Sequence, residues 1–444
     1  MNMTNMRTLK IGEKYLRILF KNARILNLEL PNGYINGFVV VQDSLIEYVG
    51  ETEPNGNFDQ IIDVENNILM PGFVNAHAHT PMALLRGVKD DSVLDEWLFN
   101  GVVPIEDQMT KDDVYWGQML GIAESVRNGI TTLEEGYFYF DALAEAIAKS
   151  GIRARIGIGP RIHGSKSKNY YKNLEQTYKM IQKKTDKNLV NVACFAHAIY
   201  TVDEDMFYHM IKFANDYNLP LSIHLSETLK EVGDCTAKYN GMTPPAYLES
   251  LGYLDRDCLC YHCVHMDKDD LQILADYGSS VATCPSSNLK LASGIAPIYA
   301  MQNKGLNIAI GTDGPASNNS IDMFKEMFLV ATLSKASIYD ASVVKAKEVL
   351  EMATINGAKA LGINSGKIEV GRNADIILVN TTEPHMQPDV NVVSNLVYSA
   401  RGSDVYLTMV GGNILYHNGK YNIGEDIDTI YKKANEIRRR LSDE

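Results

Sequence analysis

The chain has 444 residues, of which 45% are hydrophobic and 22% are charged, and its formal net charge is -13. This is the composition of a globular protein long enough for one large domain and a smaller one. The acidic charge and the lack of a basic stripe argue against nucleic acid as a partner, and no run reaches membrane-spanning length.

Residues 1–67 contain short strand-like runs separated by turns. The runs cover residues 16–20, 37–41 and 45–49. Pro-Asn-Gly triplets that begin at Pro31 and Pro54 are typical turn signals. We expect this segment to form the first part of a small β-sandwich.

A different pattern begins at residue 68, where apolar runs alternate with helix-like segments. The runs cover residues 68–76, 129–133, 152–159, 189–196, 219–225, 258–264, 279–284 and 306–311. The helix-like segments include residues 113–128, 141–149, 173–184, 203–217, 268–276 and 321–335. This alternation predicts parallel βα units of the α/β class, and eight such units close a (β/α)8 barrel. We therefore predict a TIM-like barrel over residues 68–362.

An open doubly wound sheet is the alternative arrangement of these units. It is disfavoured because no Gly-rich phosphate loop follows the first strand. In addition, polar residues cluster at the C-terminal ends of many different strands, which is where barrel active sites lie.

Strand-like runs return after a helix that we predict near residues 342–360. The runs cover residues 374–379, 405–410 and 413–416, with hairpin turns at 411–412 and 418–419. We expect residues 363–444 to complete the β-sandwich that residues 1–67 begin, and to end in a surface helix over residues 426–441.

Cysteine usage and the N-terminus indicate the compartment. Six cysteines are scattered over the chain, which favours reduced core residues in a reducing environment. Charged residues such as Arg7, Lys10 and Glu13 interrupt the N-terminus, so it lacks the apolar core of a signal peptide. We therefore expect a cytoplasmic protein. Its oligomeric state stays open, a homo-oligomer included.

Three histidines and an aspartate at strand ends predict a metal site. His77 and His79 end the first barrel run, and residues two apart in a strand face the same side. His224 closes the fifth run, and Asp313 follows the eighth. This ligand set suits one divalent ion, most often zinc. Separate buried polar groups are the alternative, which the shared strand-end location disfavours.

Two further residues fit catalysis beside such a metal. Glu227 lies three residues after His224, where a carboxylate can shuttle protons without binding the ion. His262 closes the sixth run and can hydrogen-bond the attacking hydroxide. Asp313 can also accept the proton of the attacking water. His197 closes the fourth run, and we interpret it as a substrate contact.

These residues lie in motifs that resemble the amidohydrolase superfamily. The resemblance is carried by residues 71–79, followed in order by His224, His262 and Asp313. A finer similarity to the 5'-methylthioadenosine/S-adenosylhomocysteine deaminases rests on residues 96–98, 103–106, 224–228, 284–291, 293–297 and 311–320. The resemblance covers nearly the whole chain.

The resemblance implies a metal-dependent hydrolytic deaminase. Its substrate would be 5'-methylthioadenosine, S-adenosylhomocysteine, adenosine or 5'-deoxyadenosine, and its products the inosine analogue and ammonia. Protonated Glu227 would donate to purine N1, and Glu106 would accept hydrogen bonds from the ribose hydroxyls. Trp97 and Arg161 would lie towards the 5'-substituent, with a plain core aromatic as the alternative for Trp97. His197 matches a substrate-contacting histidine of the family.

The chain departs from the family in the loop that would hold a homocysteine carboxylate. Where the family has a second arginine, this loop offers Lys166, Lys168 and Lys172. Lysine carries a single flexible charge and not a bidentate fork, so the preferred 5'-substituent stays open.

Two rival interpretations remain. One is deamination or dechlorination of another heteroaromatic compound, such as guanine, a pterin or a triazine. Glu106 discriminates between the two activities, because a free base has no ribose for it to bind. The other rival is a non-catalytic barrel scaffold, which is disfavoured because all four predicted metal ligands are present.

Overall fold

The computed structural model describes residues 16–160 and 170–442. In this part of the chain the strands are β1 (Arg17–Leu26), β2 (Tyr34–Gln42), β3 (Leu45–Gly50), β4 (Gln60–Asp63), β5 (Ile68–Pro71), β6 (Phe73–Ala78), β7 (Ile130–Glu135), β8 (Arg153–Ile158), β9 (Val190–Ala196), β10 (Leu221–Leu225), β11 (Cys258–His262), β12 (Ser280–Thr283), β13 (Asn307–Ile310), β14 (Ile376–Val379), β15 (Val405–Val410), β16 (Asn413–His417) and β17 (Lys420–Tyr421).

The α-helices of the same residues connect and follow these strands. They are α1 (Leu94–Trp97), α2 (Val103–Glu106), α3 (Lys111–Arg127), α4 (Phe140–Ser150), α5 (Tyr170–Lys184), α6 (Glu204–Tyr217), α7 (Leu229–Lys238), α8 (Pro244–Ser250), α9 (Lys268–Asp276), α10 (Pro285–Lys290), α11 (Ile298–Asn303), α12 (Pro315–Asn318), α13 (Met323–Ile338), α14 (Ala346–Ala353), α15 (Ile355–Leu361), α16 (Val392–Tyr398) and α17 (Ile427–Arg440). Among the described helices, none combines the length and the apolar character that crossing a membrane requires.

Strands β6 to β13 form a parallel eight-stranded sheet in chain order. The last strand returns to the first, where the amide of Asp313 donates to the carbonyl of His77 at 2.9 Å. A glycine permits this approach, because a Cβ on Gly311 would lie 2.6 Å from the Cβ of His77. The predicted TIM-like barrel is confirmed. Its strands are buried over nearly their whole length, because helices cover the outside of a parallel barrel and side chains fill its interior.

The two terminal regions join in one mixed sheet, in the order β17-β16-β15-β14-β5-β1-β2-β3. Strand β4 pairs with the first half of β1, and β5 pairs with its second half. The sheet encloses a separate apolar core that includes Phe20, Val39, Leu69, Ile376 and Leu407. The expectation that the N- and C-terminal segments build one small β unit beside the barrel is confirmed.

The apolar run 68–76 forms two strands, one in each sheet. The amide of Gly72 donates to Asp375 in the mixed sheet, and the next amide, of Phe73, donates to Gly129 beside the barrel. A Cβ on Gly72 would lie 2.1 Å from Thr131, so a glycine is needed where the chain changes partners. Periodicity cannot locate this change, because both strands are buried.

A buried ion pair ties the mixed sheet to the barrel. Arg153, the first residue of β8, donates to both carboxylate oxygens of Asp375, at 2.7 and 3.0 Å. Asp375 also accepts from Ser365 and from the amide of Gly411. The contact is made at the N-terminal end of a barrel strand. The C-terminal ends, where barrel enzymes carry their active sites, lie at the opposite end.

Candidate active site

The predicted metal ligands converge at the C-terminal ends of the barrel strands. His77 lies in β6, His79 directly follows it, His224 lies in β10, and Asp313 follows β13. The Nε2 atoms of His77 and His79 lie 3.5 and 3.6 Å from Oδ1 of Asp313. His77, His79 and Asp313 have ligand atoms within 4.8 Å of one another, and so do His77, His224 and His262. All five side chains are buried.

The hydrogen bonds of the histidines fit a cation at their centre. Nδ1 of His79 contacts the carbonyl of Gly136, and Nδ1 of His224 lies 2.6 Å from the carbonyl of His197. A carbonyl only accepts, so each Nδ1 carries the proton and each Nε2 carries a lone pair. The two Nε2 atoms lie 3.3 Å apart. Facing lone pairs repel unless a cation lies between them, and backbone carbonyls commonly orient metal-binding histidines in this way.

The protonation states of these histidines also suit a metal. Burial lowers the pKa of His77 to about 3. Burial likewise lowers the pKa of His79 and of His224, in the latter case well below its ordinary value. At neutral pH the three rings are therefore uncharged, which is the form that binds a metal ion. Nε2 of His77 has no hydrogen-bond partner among the described residues.

Asp313 is held in place by its own motif. Its Oδ2 accepts hydrogen bonds from Ser287 at 2.6 Å and from Ser317 at 2.9 Å, and its Oδ1 accepts from the amide of Gly314 at 2.7 Å. Its backbone has a φ of 62°, which is uncommon for a residue with a side chain and is characteristic of functional sites. Both serines lie in segments that carry the family resemblance, residues 284–291 and 311–320, but the sequence analysis predicted no role for either.

Glu227 and His262 lie side by side next to these ligands. Oε2 of Glu227 is 3.8 Å from Nε2 of His262, whose Nδ1 is 2.8 Å from Oδ1 of Asn288. Burial and the negative charge of Asp313 raise the pKa of Glu227 well above its ordinary value, although a hydrogen bond from Ser293 opposes this. The raised pKa favours the protonated form of Glu227, in which the carboxyl can act as an acid.

His79, His224 and Asp313 line a pocket of about 980 Å³, which three of the predicted substrate contacts also line. Trp97, Glu106 and His197 all line it. Oη of Tyr137 donates a hydrogen bond of 2.5 Å to Oε1 of Glu106, and both side chains are buried. The sequence did not indicate Tyr137, although it lies two residues after β7, at a barrel strand end.

The remaining pocket wall is largely apolar and aromatic. It includes Phe138, Phe140, Phe195 and Leu291, and within the described residues no lysine or arginine lines it. Pro160 also lines the pocket, and it is the last described residue before positions 161–169.

Three of the residues predicted to face the 5'-substituent of the substrate lie within positions 161–169. Arg161, Lys166 and Lys168 fall outside the described residues, so their predicted positions stay predictions. Lys172 is described and lies exposed in helix α5.

Comparison with protein families gives one match that covers most of the chain, the amidohydrolase family, over residues 68–415. The chain is 38% identical to a 5-methylthioadenosine/S-adenosylhomocysteine deaminase of Syntrophomonas wolfei, over 96% of this chain and 99% of that protein. It is 39% identical to a 5'-deoxyadenosine deaminase of Methanosphaera stadtmanae, over 93% of this chain and 96% of that protein.

Solved structures share the same fold. An adenosine deaminase of Xanthomonas campestris with bound zinc superimposes with a TM-score of 0.90 at 34% identity, covering 97% of this chain and 99% of that one. A guanine deaminase of C. acetobutylicum with bound guanine gives a TM-score of 0.80 at 23% identity, over 90% and 99% of the two chains. At that identity the second likeness concerns the fold alone.

Proposed function

This chain belongs to the amidohydrolase family, and we propose that it is a zinc-dependent deaminase of adenine nucleosides. It is a hydrolase that acts on carbon–nitrogen bonds, as its deaminase relatives are. The proposed reaction converts a 5'-modified adenosine and water into the corresponding inosine and ammonia. A 5'-deoxy or 5'-methylthio nucleoside, adenosine and S-adenosylhomocysteine are the substrates to compare.

One observation supports this proposal above the others: proposed metal ligands, the proposed acid and the carboxylate that we assign to the ribose line a single pocket. His79, His224 and Asp313 line it together with Glu227, and Glu106 lies in the same pocket. In our proposal the carboxylate of Glu106 accepts hydrogen bonds from the vicinal hydroxyls of the ribose, which are two donors. Tyr137 orients this carboxylate by its own hydrogen bond.

The metal and its neighbours account for the attack on the purine. His77, His79, His224 and Asp313 would hold a zinc ion, and a zinc ion bound there would activate water as a nucleophile near neutral pH. In our proposal, Asp313 takes the proton that the attacking water loses. His262, fixed through Nδ1 by Asn288, orients the attacking oxygen towards C6 of the purine.

Glu227 completes the reaction as an acid. Burial and the negative charge of Asp313 raise its pKa and so favour the protonated carboxyl. Donation of this proton to purine N1 balances the charge that attack at C6 places on the ring. The proton on Asp313 then passes to the exocyclic amine, which leaves as ammonia. The hydroxyl at C6 returns its proton to Glu227 as the carbonyl of the inosine product forms. The side chains that transfer these protons, Asp313 and Glu227, both line the pocket.

Deamination of a free heteroaromatic base is the second candidate. The fold-level likeness to a guanine deaminase is consistent with it. The buried pair Glu106–Tyr137 favours a nucleoside, because a free base has no hydroxyls to offer this carboxylate.

Ammonia release from a panel of substrates tests the proposal. The panel contains adenosine, 5'-deoxyadenosine, methylthioadenosine, S-adenosylhomocysteine, guanine and a triazine. We expect turnover of the adenine nucleosides only. We also expect kcat/KM for methylthioadenosine or adenosine to be at least comparable to that for S-adenosylhomocysteine, because the described pocket wall is apolar. Turnover of guanine or the triazine alone would favour the second candidate.

A further inference from the structure

A buried carboxylate behind the catalytic loop contacts the backbone of Glu227. Oε1 of Glu231 accepts the amide of Ser226 at 3.0 Å, and its Oε2 accepts the amide of Glu227 at 2.8 Å. Glu231 is 5% exposed, and it is not among the residues that line the pocket. One carboxylate therefore holds two successive peptide units, the second of which carries the acid of the proposed mechanism.

This contact differs from ordinary helix capping. Glu231 is the third residue of α7, after the N-cap Thr228, whose side chain accepts the Glu231 amide. In a capping box the carboxylate at this position accepts the amide of the N-cap residue itself. Here it reaches past Thr228 to the two preceding amides. The carboxylate thus orders the loop between β10 and α7, and not only the first turn of the helix.

The loop it holds has a backbone that needs support. Ser226 has a φ of 50°, which is unfavourable for a residue with a side chain. Its carbonyl accepts the amides of Val264 at 3.1 Å and His265 at 2.9 Å, so the peptide is fixed from both sides. Such a conformation persists only where its surroundings determine it. The orientation of the next residue, Glu227, depends directly on it.

We propose that Glu231 is a positioning residue that fixes Glu227 for proton donation. This inference rests on the proposed function, because it requires Glu227 to be the acid. A carboxylate has two acceptor oxygens and satisfies both amides, whereas an amide side chain has one acceptor and one donor group. In Glu231→Gln one N–H therefore faces a donor and loses its partner. The Glu227 carboxyl is then displaced from the atom it must protonate.

A double-mutant cycle tests this role. Wild type, Glu227→Gln, Glu231→Gln and the double variant are loaded with zinc, and kcat, KM and metal content are measured with methylthioadenosine. We expect Glu231→Gln to lower kcat by about 10- to 100-fold, in keeping with the cost of a misplaced catalytic group, with KM and metal content nearly unchanged. In the Glu227→Gln background the same change should lower kcat by less than about threefold, since no acid remains to be positioned.

Asp270→Asn is the matched control. Asp270 is the third residue of α9, buried at 3% exposure, and accepts the amide of the N-cap Asp267 at 3.2 Å. It does not line the pocket. Its replacement should lower thermal stability and leave kcat unchanged. If Glu231→Gln does not fold, Glu231→Asp replaces it in the test. Aspartate keeps the carboxylate but is one methylene too short to reach both amides, so kcat should still fall.

The outcomes separate this inference from the proposed function. If Glu227→Gln keeps full kcat, Glu227 is not the acid, and both its role in the proposed mechanism and its positioning by Glu231 fail, while the substrate panel still tests the deaminase activity. If Glu227→Gln loses activity while folded Glu231→Gln or Glu231→Asp keeps wild-type kcat, only the positioning role fails. An equal loss in both backgrounds, or an equal loss of kcat in Asp270→Asn, would show that Glu231 acts on stability alone.

Discussion

The ring of Tyr261 stacks on the ring of His77, with 3.9 Å between the centroids and 25° between the planes. Oη of Tyr261 donates a hydrogen bond of 2.9 Å to Glu134, whose carboxylate forms an ion pair with Arg155. All four side chains are buried. A buried polar network inside the barrel therefore fixes the aromatic ring that packs against His77, and such support keeps a proposed metal ligand in its binding orientation.

His77→Ala and His224→Ala should each lose most of the bound metal and nearly all activity. Each change removes one imidazole from the ligand set, and the remaining ligands bind a divalent ion less tightly. Metal analysis after dialysis, together with ammonia release, measures both effects. His385→Ala is the control, because His385 pairs with Asp404 outside the pocket. Full metal content and normal turnover in either ligand variant would show that the site is misassigned.

Glu227→Gln should keep near-normal metal content and turn over about two to four orders of magnitude more slowly, the usual contribution of a general acid or base. The variant preserves the shape of the side chain but has no acidic proton to donate. Steady-state kinetics at saturating substrate, normalised to bound zinc, checks the prediction. Unchanged kcat would remove Glu227 from the mechanism.

Much of the barrel was predictable, because buried parallel strands read as uninterrupted apolar runs. The predicted run 189–196 and helix 268–276 correspond to β9 (Val190–Ala196) and α9 (Lys268–Asp276). The short helices before α3 were not predicted from the sequence. Helices α1 and α2 have four residues each, too few for a periodic pattern. Trp97 and Glu106 lie on them, so only the family resemblance pointed to these two residues.

The site was predictable to the extent that strand ends share one edge of the barrel. That rule brings His77, His224 and Asp313 together, as the structure does. It gives no partner for a residue whose role depends on a contact between distant segments. Tyr137 hydrogen-bonds Glu106, which lies 31 positions earlier in the chain. Glu231 accepts a backbone amide of the loop that precedes its helix. Neither contact leaves a local pattern in the sequence.

Glu106→Ala should lower kcat/KM for adenosine and leave metal content unchanged. The ribose hydroxyls lose their acceptor in a buried wall, which typically costs ~1–3 kcal/mol. Adenosine compared with 2',3'-dideoxyadenosine gives the contrast: wild type should strongly prefer adenosine, and the variant should not. Tyr137→Phe removes only the hydrogen bond that orients Glu106. Its preference for adenosine over 2',3'-dideoxyadenosine should therefore lie between those of wild type and Glu106→Ala. A wild-type protein without this preference would favour the free-base candidate.

The stability of the protein should fall with rising pH because of Glu135. This carboxyl accepts the amide of Thr80 at 3.1 and 3.2 Å, yet burial raises its pKa from 4.5 to about 8. Between these two values the folded state holds a proton that the unfolded chain has released. The unfolded state binds fewer protons, so the free energy of unfolding decreases through this window and levels off above it.

Glu135→Gln removes that titration while preserving the shape of the side chain. The Tm of wild type minus the Tm of the variant should therefore decrease between about pH 5 and about pH 8. Calorimetry on both zinc-loaded proteins in matched buffers measures this difference. A difference that is equal at the two pH values would contradict the proposed protonation of Glu135.

Zinc titration of the metal-free protein tests the central claim most directly. Chelator-treated wild-type protein receives increasing zinc, and the deamination of methylthioadenosine is followed by ammonia release and by the change in purine absorbance. We predict negligible turnover without metal and a linear rise that saturates at one ion per chain, with the inosine analogue as product. Full turnover in the metal-free protein, or no deamination of any adenine nucleoside at full zinc occupancy, would contradict the account.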